Sequence, residues 1–362
     1  MQMFTSPFTR SSRAVLLFAL AGLLALSSCS RKDSSAQQEP AKRSVVVFIP
    51  GVRAVSPTYD MFAKGVEELA GEREELSIAI IEAGTDQSKW QNQLNALAAS
   101  GSHELIISSN PALPALAAEV AKAFPKQRFI IMDAYMEGNA AIATFQYDQR
   151  EQALVAGYLA GLATTGAVEG LNPEKRIALV AGQEYPAMNG TILPWYGAGA
   201  RAASPDIEVD FRVVGNWYDA TRSAELARAA IRAGSDILMP IAGGANQGVL
   251  QAAEESGAKV VWFDNDGFDR KPGTVIGSAV LHQDKAAREL VEDWLDGELA
   301  FGSCRIGTFA SGYIDFIQGH PVYLEMVSKE AREKIGLMVE QLKRGVSPEN
   351  LDLGGARVNV AP

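Results

Sequence analysis

The sequence predicts an α/β protein of two Rossmann-like lobes with parallel sheets, and three observations predict it. At 362 residues the chain is longer than a single hydrophobic core usually serves. From Val45 onward, short runs rich in Val and Ile alternate with segments of helical period, which is the pattern of βαβ units. The alternation breaks where strand 128–133 (RFIIMD) is followed by strand 140–146 (AIATFQY) with no helix between, and such a break is where a chain can leave one sheet and enter another.

The remaining strands are placed at 44–49, 76–82, 103–108, 176–181, 207–213, 236–240, 259–263, 274–280 and 305–310. Helices fall between them near 58–71, 87–100, 112–123, 149–164, 194–203, 220–233, 245–256, 282–298 and 322–344. Regular alternation of this kind implies parallel sheets with helices on both faces. Further crossings between sheets are expected at 274–280 and near 305–312. Three crossings form the hinge of the type I periplasmic-binding-protein architecture. Lobe 1 then comprises 44–146 plus 281–308, lobe 2 comprises 147–280 plus 309–345, and 346–362 is a C-terminal tail. A single long doubly wound sheet is the alternative, and it too would bind its ligand at the carboxyl ends of the strands.

Ahead of the globular part, Arg10 and Arg13 are the only charges in residues 1–28, and an apolar run from Ala14 to Leu26 follows them. That run is short for a transmembrane helix and reads as the core of an export signal. It ends in Leu26-Ser27-Ser28-Cys29, which resembles the bacterial lipobox and makes Cys29 the lipidation site. Residues 29–43 lack large apolar side chains and read as a disordered tether to the membrane. The sequence therefore predicts an exported lipoprotein anchored through acyl chains. With Cys29 acylated, Cys304 has no partner for an intramolecular disulfide.

The composition and motifs exclude several classes. A net charge of −10 without a basic stripe argues against a nucleic-acid partner. His103, His282 and His320 are widely separated and show no metal-ligand spacing, so no metal is expected. Neither a GxSxG elbow nor a Walker loop is present, and the sequence implies no cofactor and no bond chemistry. Gly197-Ala198-Gly199-Ala200-Arg201-Ala202 mimics a dinucleotide fingerprint, but it lies inside a helical pattern and reads as close helix packing.

Strand ends carry the candidate ligand contacts. Asp133 closes one strand, while Asp264 and Asp266 follow another. Carboxylates there can accept hydrogen bonds from vicinal hydroxyls or ring N–H groups, although each can instead cap the next element. Gly243 and Gly244 follow a third strand and precede Asn246, so backbone N–H groups can approach a ligand closely. Tyr59 and Tyr196 at helix starts and Trp217 after a strand offer flat faces for a ring, with Phe268 behind Asp266.

Three stretches carry a family resemblance: Gly215-Asn216-Trp217-Tyr218-Asp219, residues 224–266 with AGG-x-N-x-G and D-x-D, and 152–166. Together they resemble the basic membrane protein family of bacterial lipoproteins, which includes purine nucleoside receptors feeding ABC importers. The likeness covers roughly 44–320. It implies a small-molecule ligand, a purine nucleoside, between the lobes, with an ABC permease and ATPase as partners. It also implies that Asp133 contacts the base, that Asp264 contacts the ribose hydroxyls beside Gly243 and Gly244, and that Tyr196 stacks on the base. Two places depart from the family: the first loop, Ile49 to Tyr59, lacks the usual acidic residue followed by Ser-Phe-Asn, and Leu281-His282 stands where a Lys is usual. A different solute, a regulatory, signalling or adhesive surface role, and a nucleoside-processing enzyme are the competing readings.

Overall fold

The computed structural model describes residues 42–353 together with 358 and 360. The signal segment 1–28, Cys29, nearly all of the 29–43 tether and the end of the C-terminal tail lie outside the described residues. In chain order the elements are β1 (Arg43–Ile49), α1 (Pro57–Glu72), β2 (Leu76–Glu82), α2 (Gln87–Ser100), β3 (Leu105–Ser109), α3 (Leu113–Ala123), β4 (Arg128–Met132) and β5 (Ile142–Tyr147). There follow α4 (Gln149–Leu162), β6 (Arg176–Ala181), α5 (Leu193–Ala203), β7 (Glu208–Val213), α6 (Ala220–Arg232), β8 (Ile237–Ile241), α7 (Asn246–Ser256), β9 (Lys259–Asp264) and β10 (Val275–Leu281). The chain closes with α8 (Gln283–Asp296), β11 (Cys304–Gly307), β12 (Ile314–Phe316), α9 (Pro321–Met326) and α10 (Lys329–Lys343).

Local chemistry explains the boundaries. Ser56, Asp86, Asp148, Asp219 and Ser328 each cap a helix by accepting a first-turn N–H. Gly101, Gly257 and Gly297 close α2, α7 and α8 in the left-handed conformation. Strands β3, β8 and β10 are buried along their whole length, as strands covered on both faces by helices must be.

Two sheets of six strands result, ordered β11-β5-β4-β3-β1-β2 and β12-β10-β9-β8-β6-β7. Every pairing is parallel except that of β12 with β10. This is the type I periplasmic-binding-protein fold. The chain passes from one sheet to the other after β5, after β10 and after β11. Backbone and buried side chains bind the three passages together: Asp148 N donates to Gly307 O (2.8 Å), His282 N donates to Tyr313 O (2.9 Å), and the Glu151 carboxylate accepts from Phe309 N (2.7 Å).

The strand-after-strand pair β4 and β5 stays within one sheet, paired in parallel, and the passage comes after Tyr147, at the junction of segments 44–146 and 147–280. Its short connection is held beside β5 by Thr144, whose hydroxyl accepts from Met136 N (3.1 Å) and donates to Met136 O (2.9 Å). The strand placed at 305–310 stops at Gly307, and three residues farther on form the unforeseen antiparallel β12. Finally, the helix placed at 322–344 is two helices, because Val327 is extended and Ser328 restarts the chain by capping Ala331 N.

Candidate functional site

In both sheets the carboxyl ends of the parallel strands deliver polar or flexible residues to the gap between lobes. From the first sheet come Gly51 beyond β1, Asn110 beyond β3, Asp133 beyond β4 and Tyr147 at the end of β5; from the second come Gly182 beyond β6, Gly243 beyond β8 and Asp264 ending β9.

Asp133 and Asp264 stand out on backbone grounds first. Among the described residues they alone, glycines aside, have φ in the left-handed region, at 52° and 72°. Such a backbone is costly for an L-residue, least so for Asp and Asn, and tends to persist where function requires it. Both side chains are half-buried, and neither makes an ion pair with any described residue. Burial pushes the Asp133 carboxyl up to about 7, and the charge of Asp264 adds to the rise. Asp264 is pushed up to about 6 by burial, against a hydrogen bond from Gln152 Nε2 (3.3 Å) that favours its ionised form. The two carboxylates come from opposite lobes, and the charge of one is felt by the other across the gap.

Aromatic side chains flank them. The Tyr59 ring lies over Gly51, where a Cβ would sit 2.7 Å from its Cε2, and its hydroxyl accepts from Asn110 Nδ2 (3.3 Å). Burial pushes this phenol up to about 12, with a smaller push from the Asp133 charge. On the other lobe the Trp217 ring rests on Gly182, where a Cβ would come within 2.6 Å of it. Its Nε1 donates to Gln183 Oε1 (2.9 Å), and its carbonyl accepts from Ala245 N (3.3 Å). Gly243 has φ 58°, and a Cβ there would lie 3.0 Å from the Trp217 carbonyl, so the bare Gly243-Gly244 backbone lets the loops after β7 and β8 close on one another. Tyr185, 6.0 Å from Trp217 between ring centres, has its phenol pushed far up by burial and then by the charges of both Asp133 and Asp264. Its hydroxyl therefore lies in the field of both carboxylates.

The structure brings Tyr59, Asp133, Trp217, Gly243, Gly244 and Asp264 to the strand-end edges that border the gap. It does not bring Tyr196 or Asp266 there. Tyr196 is fully buried in α5, its carbonyl backed by Gly157 of α4, and the charge nearest its hydroxyl is that of Asp236, which precedes β8 at the opposite end of the sheet. Tyr196, Gly199 and Ala200 lie on the face of α5 that packs on α4, so the Tyr196 ring turns inward. Asp266 is exposed and spends Oδ1 on Phe268 N (3.0 Å), the local capping role open to any Asp after a strand. Phe268 is buried and stacks on His320, with ring centres 4.0 Å apart.

Four residues of the gap were not foreseen. Tyr185 and Asn110 follow strand ends at short range, so the strand-end rule contained the signal for them. Tyr147 is buried with its hydroxyl unpartnered, near the charges of Asp133, Asp284 and Asp264. Gln152 is a fully buried amide in the first turn of α4, and nothing in a one-dimensional reading separates it from its neighbours. Among the described residues, no three His, Cys, Asp or Glu side chains are grouped to hold a metal ion, and no helix is long and apolar enough to cross a membrane.

Comparison with known proteins agrees with this geometry. Residues 42–344 match the Bmp family, described as ABC transporter substrate-binding protein PnrA-like. The chain is 23% identical over 331 residues to the ABC transporter nucleoside-binding protein BmpA of Lactococcus lactis, covering 83% of this chain and 90% of that one. It is also 23% identical to Basic membrane protein A of Borreliella burgdorferi, over 93% of this chain and 96% of the other. An ABC transporter solute-binding protein from Aeropyrum pernix K1 superposes with a TM-score of 0.74 at 18% identity, covering 85% of this chain and 94% of that one. The chain belongs to the Bmp family of PnrA-like ABC transporter substrate-binding proteins.

Proposed function

We propose that this chain is the lipid-anchored receptor of an ABC importer and that it holds a purine nucleoside between Asp133 and Asp264. The observation that carries the reading is the pair of carboxylates, one from each lobe, on the only left-handed non-glycine backbones among the described residues. A ligand that gives N–H donors to one and hydroxyl donors to the other is held by both lobes at once, and closed lobes become populated because only they offer both contacts. Among the described residues no cation pairs with either carboxylate, so the gap favours a neutral ligand and repels a phosphorylated one. Tyr59, Tyr185 and Trp217 supply faces for a heterocycle. The nucleoside named for the Lactococcus relative fits this chemistry.

Native mass spectrometry of the purified protein, followed by titration with nucleosides and their 5′-monophosphates, tests the proposal. Binding of a purine nucleoside with rejection of its monophosphate is the expected outcome. A protein that arrives empty and ignores every nucleoside would falsify it. The anchor is tested separately: Cys29→Ser releases the protein from membranes into the soluble fraction, and a variant that stays membrane-bound through a detergent-free wash argues against acylation at Cys29. Docking on a permease and its ATPase follows from the same reading.

A further inference from the structure

The amide of Gln152 is the one described polar side chain that hydrogen-bonds Asp264, and its position is unusual for a glutamine. It lies fully buried in the first turn of α4, just past the first passage between lobes. Its Nε2 donates to Asp264 Oδ1 at 3.3 Å and to Ala279 O at 3.0 Å, the latter near the end of β10 and the second passage. The orientation of the amide is fixed by chemistry, because a flip would set Oε1 against two acceptors. Oε1 is then left buried with no donor. A methionine would fill the same volume in this helix without leaving a buried acceptor unsatisfied, so the glutamine is costly as mere packing.

We propose that Gln152 is a positioning residue of the ligand site: its amide clamps one carboxylate oxygen of Asp264 against β10 and leaves Oδ2 to accept from a ligand hydroxyl. The inference rests on the assignment of Asp264 to that site. A clamp of this kind favours the ionised carboxylate, the form that accepts and does not donate, and so selects ligand groups that donate. It also works against burial, the influence that raises Asp264. The Asp264 charge in turn raises the Asp133 carboxyl of the other lobe and the phenols of Tyr185 and Tyr147, which stay neutral and do not oppose its ionisation.

The test uses the full chain, unliganded, with the Asp264 carboxyl carbon followed by NMR across pH and assigned by its loss in Asp264→Asn. Gln152→Met moves the Asp264 midpoint to higher pH, and adenosine binding at pH 7.5 weakens by about tenfold, with the acid limb of its affinity profile moving up in step. A loosened core alone lowers thermal stability without displacing that limb. An unchanged Asp264 midpoint overturns the proposal. A displaced midpoint in a protein that binds no adenosine, mutant or wild type, leaves the role of Gln152 standing and removes the nucleoside reading instead. Should Gln152→Met fail to fold, Gln152→Glu keeps the shape and sets a second carboxyl beside Asp264. The midpoint must then rise further, and an unmoved midpoint sinks the idea equally.

Discussion

Asp133 and Asp264 show how a backbone observation changes the choice of experiment. From sequence, Asp264→Ala is the natural probe. With φ at 72°, alanine would add backbone strain of about 1–2 kcal/mol to any lost ligand contact, and the two effects would be confounded. Asparagine tolerates the left-handed region and keeps the shape while replacing one acceptor oxygen by a donor. Asp264→Asn should therefore leave the melting temperature of the unliganded protein close to wild type and cost about 1.5–3 kcal/mol of nucleoside affinity by calorimetry. Wild-type affinity in that variant would remove Asp264 from the site. At this scale the strand-end rule singled out Asp133, Asp264 and Trp217, which the fold places at strand ends bordering the gap, and also Asp266, which caps Phe268 instead. The sequence misled at Tyr196, because an aromatic at a helix start looks the same in one dimension whether it turns toward a cleft or toward a neighbouring helix. Tyr185, in the polar stretch between β6 and α5, was passed over although the strand-end rule covers it.

Among the elements, three helix pairs are brought together by glycines whose missing Cβ admits a neighbour's backbone. Gly157 of α4 meets the Tyr196 carbonyl, Gly199 of α5 meets the Leu154 carbonyl, and Gly161 would put a Cβ 2.6 Å from the Ala200 carbonyl. Gly65 does the same for α1 against Asp284 of α8, as does Gly248 for α7 against Ala220 of α6. The α4–α5 contact matters to the site because α4 carries Gln152 at its start. Gly157→Ala forces two backbones apart with no flexible side chain to yield, so a loss of about 1–3 kcal/mol in denaturant midpoint stability is expected, against a few tenths for Gly190→Ala, where a Cβ meets open space. Equal effects at the two positions would show that α4 and α5 pack more loosely than described. Of the GAGARA run, Gly199 owes its place to this contact, whereas Gly197 makes room for the Arg201 side chain of its own helix. Long helices were legible from their apolar period, and the strands as continuous apolar runs buried on both faces. The three-residue β12 and the break at Val327–Ser328 were not, since neither spans enough residues to set a period.

At the scale of the whole molecule, four half-hidden or buried carboxyls all shift the same way. Burial pushes Asp133 and Glu151 up to about 7 and Asp236 and Asp264 up to about 6. Two face the ligand gap, Glu151 joins two passages between lobes through Phe309 N, and Asp236 lies at the far end of the second sheet, held by Thr164 Oγ1 at 2.6 Å. A carboxyl whose folded pKa exceeds its unfolded value binds more protons when folded between the two values. Its contribution to stability is present in full below the unfolded pKa, near 4, and is lost as pH rises through the folded one. The groups shifted downward, such as Asp60, Glu67 and Glu255, are exchanging protons below that window and do not oppose the trend within it. The unliganded protein should accordingly melt at a higher temperature at pH 5.5 than at pH 8. Nucleoside affinity should run the opposite way, because Asp133 and Asp264 must be ionised to accept from the ligand, so ligand-induced stabilisation grows with pH. Scanning calorimetry at both pH values, with and without adenosine, reads the two slopes together. In Asp133→Asn the stability slope of the free protein should flatten, since one of the four carboxyls is gone, and the pH dependence of binding should shrink with it. A free protein equally stable at both pH values would show that these carboxyls are solvated, and with it that the gap between the lobes is open to water.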